Sequence, residues 1–139
     1  MLFIRCLKFG RVTNPPYIGA RKQSPEQKED MKHAFFNESC FNIGSLDYIA
    51  GWFLKGANYI FGPQKLAFVS TSSICQGEQV SFMWNGILRK DVDIILAVPA
   101  FKWTNNAKKQ AGVYCVIVGL GSKNKNSNKK ILLESYWNS

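Results

Sequence analysis

Residues 12–20 read Val-Thr-Asn-Pro-Pro-Tyr-Ile-Gly-Ala, VTNPPYIGA. An apolar, β-prone segment, Leu2 to Val12, runs into this stretch and stops at two consecutive prolines. Proline fixes its own φ, removes a backbone N–H and pushes the preceding residue towards extended conformations. The later part of the apolar segment therefore reads as a strand, and Asn14-Pro15-Pro16 as a stiff turn whose carbonyls have no ladder to join. The side-chain carbonyl of Asn14 and the main-chain carbonyl of Pro15 can point at one amino group and accept both of its hydrogens. Tyr17 adds a flat face beside them. An exocyclic amine gripped in this way keeps its nitrogen lone pair free for an electrophile, without a strong base to remove a proton first. N-methylation of a base is the chemistry that fits, while a proline-rich surface turn accommodates the same residues.

Outward from that turn the chain alternates strand and helix signals. Ser24-Pro25-Glu26 supplies an N-cap, a proline at the first helical position and an early acidic residue, which predicts a helix to about Phe36. Ser45 to Ile60 carries Leu46, Ile49, Phe53, Ala57 and Ile60 at helical spacing until Gly62-Pro63 stops it. KLAFVS, Lys65 to Ser70, reads as a buried strand, and the polar turn after it leads to a second apolar-periodic helix, about Gly77 to Leu88. DIILAV, Asp93 to Val98, and GVYCVIVGL, Gly112 to Leu120, are two further strands joined by the loop PAFKWTNNAKKQA, a pair able to run antiparallel. Residues 121–130, GSKNKNSNKK, are a low-complexity loop ahead of a short last strand, Ile131 to Glu134. This order predicts an α/β chain, an open sheet with helices on both faces, in which ligands sit at the carboxyl ends of strands. Asn14 to Tyr17 would lie at such an end.

Composition narrows the chemistry. At 139 residues the chain is expected to form a single domain, residues 1–139. Its 18 Lys and Arg against 9 Asp and Glu give a formal net charge of +9, which favours a polyanionic partner such as nucleic acid, although part of the excess lies in the solvated lysine run. Cys6, Cys40, Cys75 and Cys115 are spaced too widely for a zinc motif and are expected to be reduced and mostly buried. His33 is the sole histidine, which leaves no His-based metal site or catalytic triad to assemble; it is expected on a helix surface. A pairing of Cys75 as nucleophile with His33 as base has no sequence feature to bring the two together. No apolar run approaches the ~20 residues of a bilayer-spanning helix, and the first residues lack a cleavage pattern, so no membrane partner and a cytoplasmic location are expected.

Asn14-Pro15-Pro16-Tyr17 resembles catalytic motif IV of the amino-group DNA methyltransferases, specifically the adenine-N6 group, whose motif reads (D/N/S)PP(Y/F). The resemblance continues through NPPYIGARKQ, SLDYIAGWFLKGANYI, LAFVSTSSICQGEQV and AFKWTNNAKKQAGVYCVIVGL, which follow one another as in the MmeI-like type IIG restriction-modification methylases. It implies a partial Rossmann-like class I S-adenosylmethionine-dependent methyltransferase sheet. It further implies that Asn14 and Pro15, with Pro16 stiffening the turn, bind the adenine amino group, and that Tyr17 stacks on the extruded base. Phe101 takes the place of motif VIII, an aromatic in the loop between the last two major strands, with Trp103 as the reserve candidate and ordinary core packing as the alternative. An enzyme that swings a base out of a duplex recovers part of the lost stacking on such faces. Lys102, Lys108 and Lys109 flank Phe101 and suit either phosphate contact or simple solvation.

The same family resemblance implies S-adenosylmethionine as methyl donor and DNA as substrate. In that family a glycine-rich turn for the donor precedes motif IV, and a target-recognition domain follows. Here about a dozen residues precede Asn14, and Gly119-Leu120-Gly121 is followed by Lys/Asn low complexity instead of a helix. The chain is therefore expected to be the motif IV to motif VIII portion of a site-specific adenine-N6 DNA methyltransferase. A second polypeptide would then carry the donor-binding half. The alternative is a catalytically inactive basic module that binds nucleic acid or a partner.

Overall fold

The turn at Asn14 follows a strand of the expected kind. A computed structural model describes residues 11–38, 42–103, 113–123 and 131–132. Strand β1 (Arg11–Thr13) pairs in parallel with β2 (Lys65–Thr71), with Thr13 opposite Phe68. β2 then pairs antiparallel with β4 (Val113–Ser122), β4 antiparallel with β3 (Val92–Trp103), and β3 in parallel with β5 (Ile131–Leu132). The sheet order is β1-β2-β4-β3-β5. The closing pair is antiparallel, as expected, and its register sets the carboxyl end of β3 beside the start of β4 and the end of β2.

β3 is longer than the alternation in DIILAV suggests. Pro99 reads as a breaker, yet register shifts between Ile94 and Leu96 and between Val98 and Phe101 absorb it, and pairing resumes at Phe101. Phe101, Lys102 and Trp103 therefore lie on β3 instead of in the loop assigned to them. Gly119 and Gly121 lie inside β4, opposite Ala67 and Lys65, so they form neither a loop nor a glycine-rich turn.

α1 (Pro25–Ala34) starts on a full capping box: Ser24 Oγ accepts from Gln27 N at 3.2 Å, and Gln27 Oε1 accepts from Ser24 N at 3.0 Å. His33 is on its surface beside Glu29, as expected. α2 (Ile49–Tyr59) buries Ile49, Ala50, Phe53, Leu54 and Ala57 along one stripe, and a left-handed Gly62 followed by Pro63 turns the chain back into β2. It begins four residues later than the Ser45 expected from the apolar spacing, because Ile43–Ser45 form a separate 3-10 turn.

After β2 come a 3-10 turn (Ser72–Cys75), a π-helical turn (Val80–Trp84) and α3 (Asn85–Ile87). Trp84 Nε1 donates to Ile74 O at 2.8 Å, which satisfies the indole where it is buried.

Two apolar clusters flank the sheet. In the first, Met31 and Phe35 of the α1 region, Leu46, the α2 stripe, Met83, Trp84 and Ile87 pack on Leu66, Phe68, Val116, Val118 and Leu120. Phe53 is its centre, edge-on to Phe68 at 4.8 Å and to Trp84 at 5.2 Å. The second comprises Ala67, Val69, Cys115 and Ile117, with Val12, Val98, Phe101 and Trp103 packed against it. Odd and even positions of β2 and β4 divide between the two, as the period of an extended strand requires. Among the described residues the buried side chains of the helices all belong to the first, so these helices cover one face of the sheet where both were expected.

Candidate active site at the carboxyl rim of the sheet

The carboxyl ends of β1 and β2 share one rim of the sheet because the two strands are parallel. Thr71, the last residue of β2, is opposite Cys115, and Cys115 is in turn opposite Phe101. Asn14, Pro15, Pro16 and Tyr17 leave β1 at this rim. Asn14 and Pro16 are exposed, Pro15 is buried and Tyr17 half-buried. Pro15 thus anchors one side of the turn while Asn14 is open to solvent. Among the described residues, neither that amide nor the Pro15 carbonyl takes part in a hydrogen bond.

Tyr17 joins the two clusters. Its ring packs against the helix-side cluster, and its hydroxyl stands beside Cys115 of the other. Burial, first, and the neighbouring Cys115 raise the phenol pKa above its ordinary value, so the ring stays neutral at physiological pH. Burial also raises the Cys115 thiol, opposed by the neighbouring Tyr17 hydroxyl.

Phe101 and Trp103 are on the same side of β3, with ring centroids 6.2 Å apart and planes inclined by 44°. Both are half-buried against the Cys115 cluster. The structure therefore gathers Tyr17, Cys115 and Phe101 at one rim, with Trp103 two residues further along β3. Lys102 points away from this pair by strand alternation and is exposed. Lys108 and Lys109 lie outside the described residues.

Residues that sequence patterns did not single out hold the turn in place. Ile18, next to Tyr17, donates its N–H to Asp47 Oδ1 at 3.1 Å and accepts from Tyr48 N at 3.0 Å. Asp47 is buried, and burial raises its carboxyl pKa while the N–H groups of Ile49 and Ile18 oppose the rise. Contacts spanning 29 residues leave no local signature.

Ser70 is buried and donates to Thr71 O, while Thr71 Oγ1 and Ser73 Oγ lie 2.6 Å apart, so these hydroxyls are occupied with their own turn. Cys115 is buried as expected, but Cys75 is exposed because it ends the 3-10 turn past the sheet; Cys6 and Cys40 lie outside the described residues. Among the described residues no cluster of acidic, Cys or His side chains could hold a metal ion, and no helix is long and apolar enough to cross a membrane. Nor does any glycine-rich turn there link a strand to a helix, so no described residue is assigned to an adenosyl group.

Residues 11–134 match the family model "MmeI, DNA-methyltransferase domain". A curated relative, DNA methyltransferase A of Bacillus subtilis (strain 168), is 45% identical over 122 residues, covering 87% of this chain and 14% of that protein. Among solved structures, the type IIL restriction-modification enzyme MmeI in complex with DNA aligns with a TM-score of 0.79 at 42% identity, over 90% of this chain and 16% of that one. The chain thus spans about a seventh of the curated relative that it matches.

Proposed function

Because the chain belongs to the MmeI DNA-methyltransferase domain family, we propose that it carries the base-binding half of an adenine-N6 DNA methyltransferase. The observation that supports this reading best is the pair of unengaged acceptors, the exposed Asn14 amide and the Pro15 carbonyl, at the rim beside Tyr17.

In this reading the target adenine leaves the duplex and enters the rim. Asn14 Oδ1 and the Pro15 carbonyl accept the two N6 hydrogens, which directs the nitrogen lone pair away from the ring. Tyr17 takes one face of the base; Phe101, supported by Trp103, takes the other. S-adenosylmethionine, the donor implied by the family, supplies an electrophilic methyl group. Its pocket belongs to a segment other than those described, whether a further part of a longer chain or a second polypeptide. Lys102 meets a DNA phosphate near the extruded nucleotide, and the site works in the cytoplasm, where DNA is accessible.

The test is methyl transfer. The chain is mixed with a polypeptide carrying a donor-binding half, S-adenosylmethionine labelled in its methyl group and duplex DNA. Labelled N6-methyladenine is expected with the wild-type chain and none with Asn14→Ala; labelling that persists in the variant overturns the role of Asn14.

A second reading, a basic module that binds DNA or a partner without catalysis, is favoured by the formal net charge of +9. It predicts that reassembly with a donor-binding half restores no transfer, while DNA binding survives Asn14→Ala.

A further inference from the structure

The turn from Asn14 to Tyr17 is fixed at both ends, and one carboxylate takes part in the fixing at its far end. At the near end, Thr13 is held in the sheet opposite Phe68. At the far end both backbone polar groups of Ile18 are taken: the N–H by Asp47 Oδ1 at 3.1 Å, and the carbonyl by Tyr48 N at 3.0 Å and Gln23 Nε2 at 3.4 Å. Between these ends two prolines restrict the backbone.

Asp47 is itself held. Its N–H donates to Gln79 Oε1 at 3.1 Å, and the Gln79 amide nitrogen donates to Ser45 O. Gln23 Nε2 also donates to Leu46 O at 2.9 Å. Asp47 is 5% exposed, and its Oδ1 serves Ile49 N at 3.1 Å as well as Ile18. The bond to Ile49 supports the start of α2, an ordinary task for an aspartate. The bond to Ile18, across 29 residues of sequence, is not needed to start a helix.

We propose that Asp47, oriented by Gln79, is a positioning residue for base methylation: through Ile18 it sets the direction in which Asn14 and Pro15 present their acceptors. This deepens the reading of the same rim given above and rests on it. A displacement of about 1 Å in a reacting group lowers a rate on the order of a hundredfold, so one bond to the turn has large leverage.

Two substitutions separate positioning from helix support. Asp47→Asn retains an oxygen at the Oδ1 position and keeps both bonds. Asp47→Ser keeps a helix-start acceptor for Ile49 but is one bond too short to reach Ile18 as well. In the reassembled transfer assay, Asp47→Ser is expected to lower kcat at least about tenfold with the KM for DNA within about twofold, and Asp47→Asn to stay within about threefold of wild type. In amide hydrogen exchange on the full chain, Ile18 is expected to lose protection in Asp47→Ser and keep it in Asp47→Asn, while the β2–β4 ladder stays protected in both.

Protection of Ile18 retained in Asp47→Ser overturns the proposal, as does an unchanged kcat once that protection is lost. Loss of ladder protection in Asp47→Ser also overturns it, since Asp47 would then be holding the fold as a whole. The exchange measurement needs no catalysis: if Asn14→Ala leaves transfer intact, the functional reading fails while Ile18 still reports whether Asp47 holds the turn.

Discussion

The Tyr17 hydroxyl stands beside the Cys115 thiol, which brings the turn after β1 against the first buried residue of β4. The contact crosses from one apolar cluster to the other. Tyr17→Phe keeps the aromatic face and removes the hydroxyl, at an expected cost of about 0.5–1.5 kcal/mol in urea denaturation. A double-mutant cycle with Cys115→Ala should show a coupling energy in the same range; strictly additive effects would mean that the two groups do not interact.

Gly56 and Gly121 both leave no room for a side chain, but their neighbours differ. A Cβ at Gly56 would lie 2.9 Å from two ring carbons of Phe68 and 3.2 Å from Leu66, inside the packed core between α2 and β2. A Cβ at Gly121 would meet the terminal methyl of Ile95 at 2.9 Å, the movable end of a half-buried side chain. Gly56→Ala is therefore expected to cost about 1–3 kcal/mol, and Gly121→Ala distinctly less. Thermal unfolding of both variants gives the order directly.

Burial raises the Asp47 carboxyl above its unfolded value, despite the opposing N–H groups of Ile49 and Ile18. Between the unfolded and folded pKa values the native state binds more protons than the unfolded chain, so this group's contribution to stability is present in full at low pH and is lost as pH rises through the folded value. The window opens at the ordinary aspartate pKa of about 3.9 and extends upward. Asp47→Asn should remove that negative slope from the unfolding free energy measured across mildly acidic pH, and an unchanged slope would assign the titration to other groups.

Much of this architecture is written locally. Two prolines after an apolar run end β1; Ser24-Pro25 opens α1; the 3.6-residue spacing of Ile49, Phe53 and Ala57 gives α2. The rim is harder to read, because strand register decides it. Pro99 argues against a strand through Phe101, and the irregularity after Val98 that admits it is a property of the β3–β4 pair. Asp47 looks like part of a helix start, and its contact with Ile18 depends on how the start of α2 meets the turn after β1. Asn14, Pro15 and Tyr17 stand in one motif; Cys115, beside Tyr17, and Asp47, bonded to Ile18, carry no mark of that connection.

Lys102 offers a test of the proposed DNA contact. It is exposed on β3 between Phe101 and Trp103. If it neutralises one phosphate, Lys102→Ala should weaken DNA binding uniformly across sequences and reduce the slope of log affinity against log salt by about 1. Fluorescence anisotropy at several salt concentrations would give the slope, and an unaltered slope would leave Lys102 as a solvated surface charge.

The π-helical turn at Val80–Trp84 separates two side chains with distant duties, Gln79 towards Asp47 and Trp84 towards Phe53 and Ile74. Such a turn is equivalent to one residue inserted into an α-helix. Excising a single residue there would wind the segment back to regular pitch and swing one end by about 100° against the other. Either the indole or the glutamine would then face the wrong way, so this stretch should tolerate exchange of its residues far better than a change in their number.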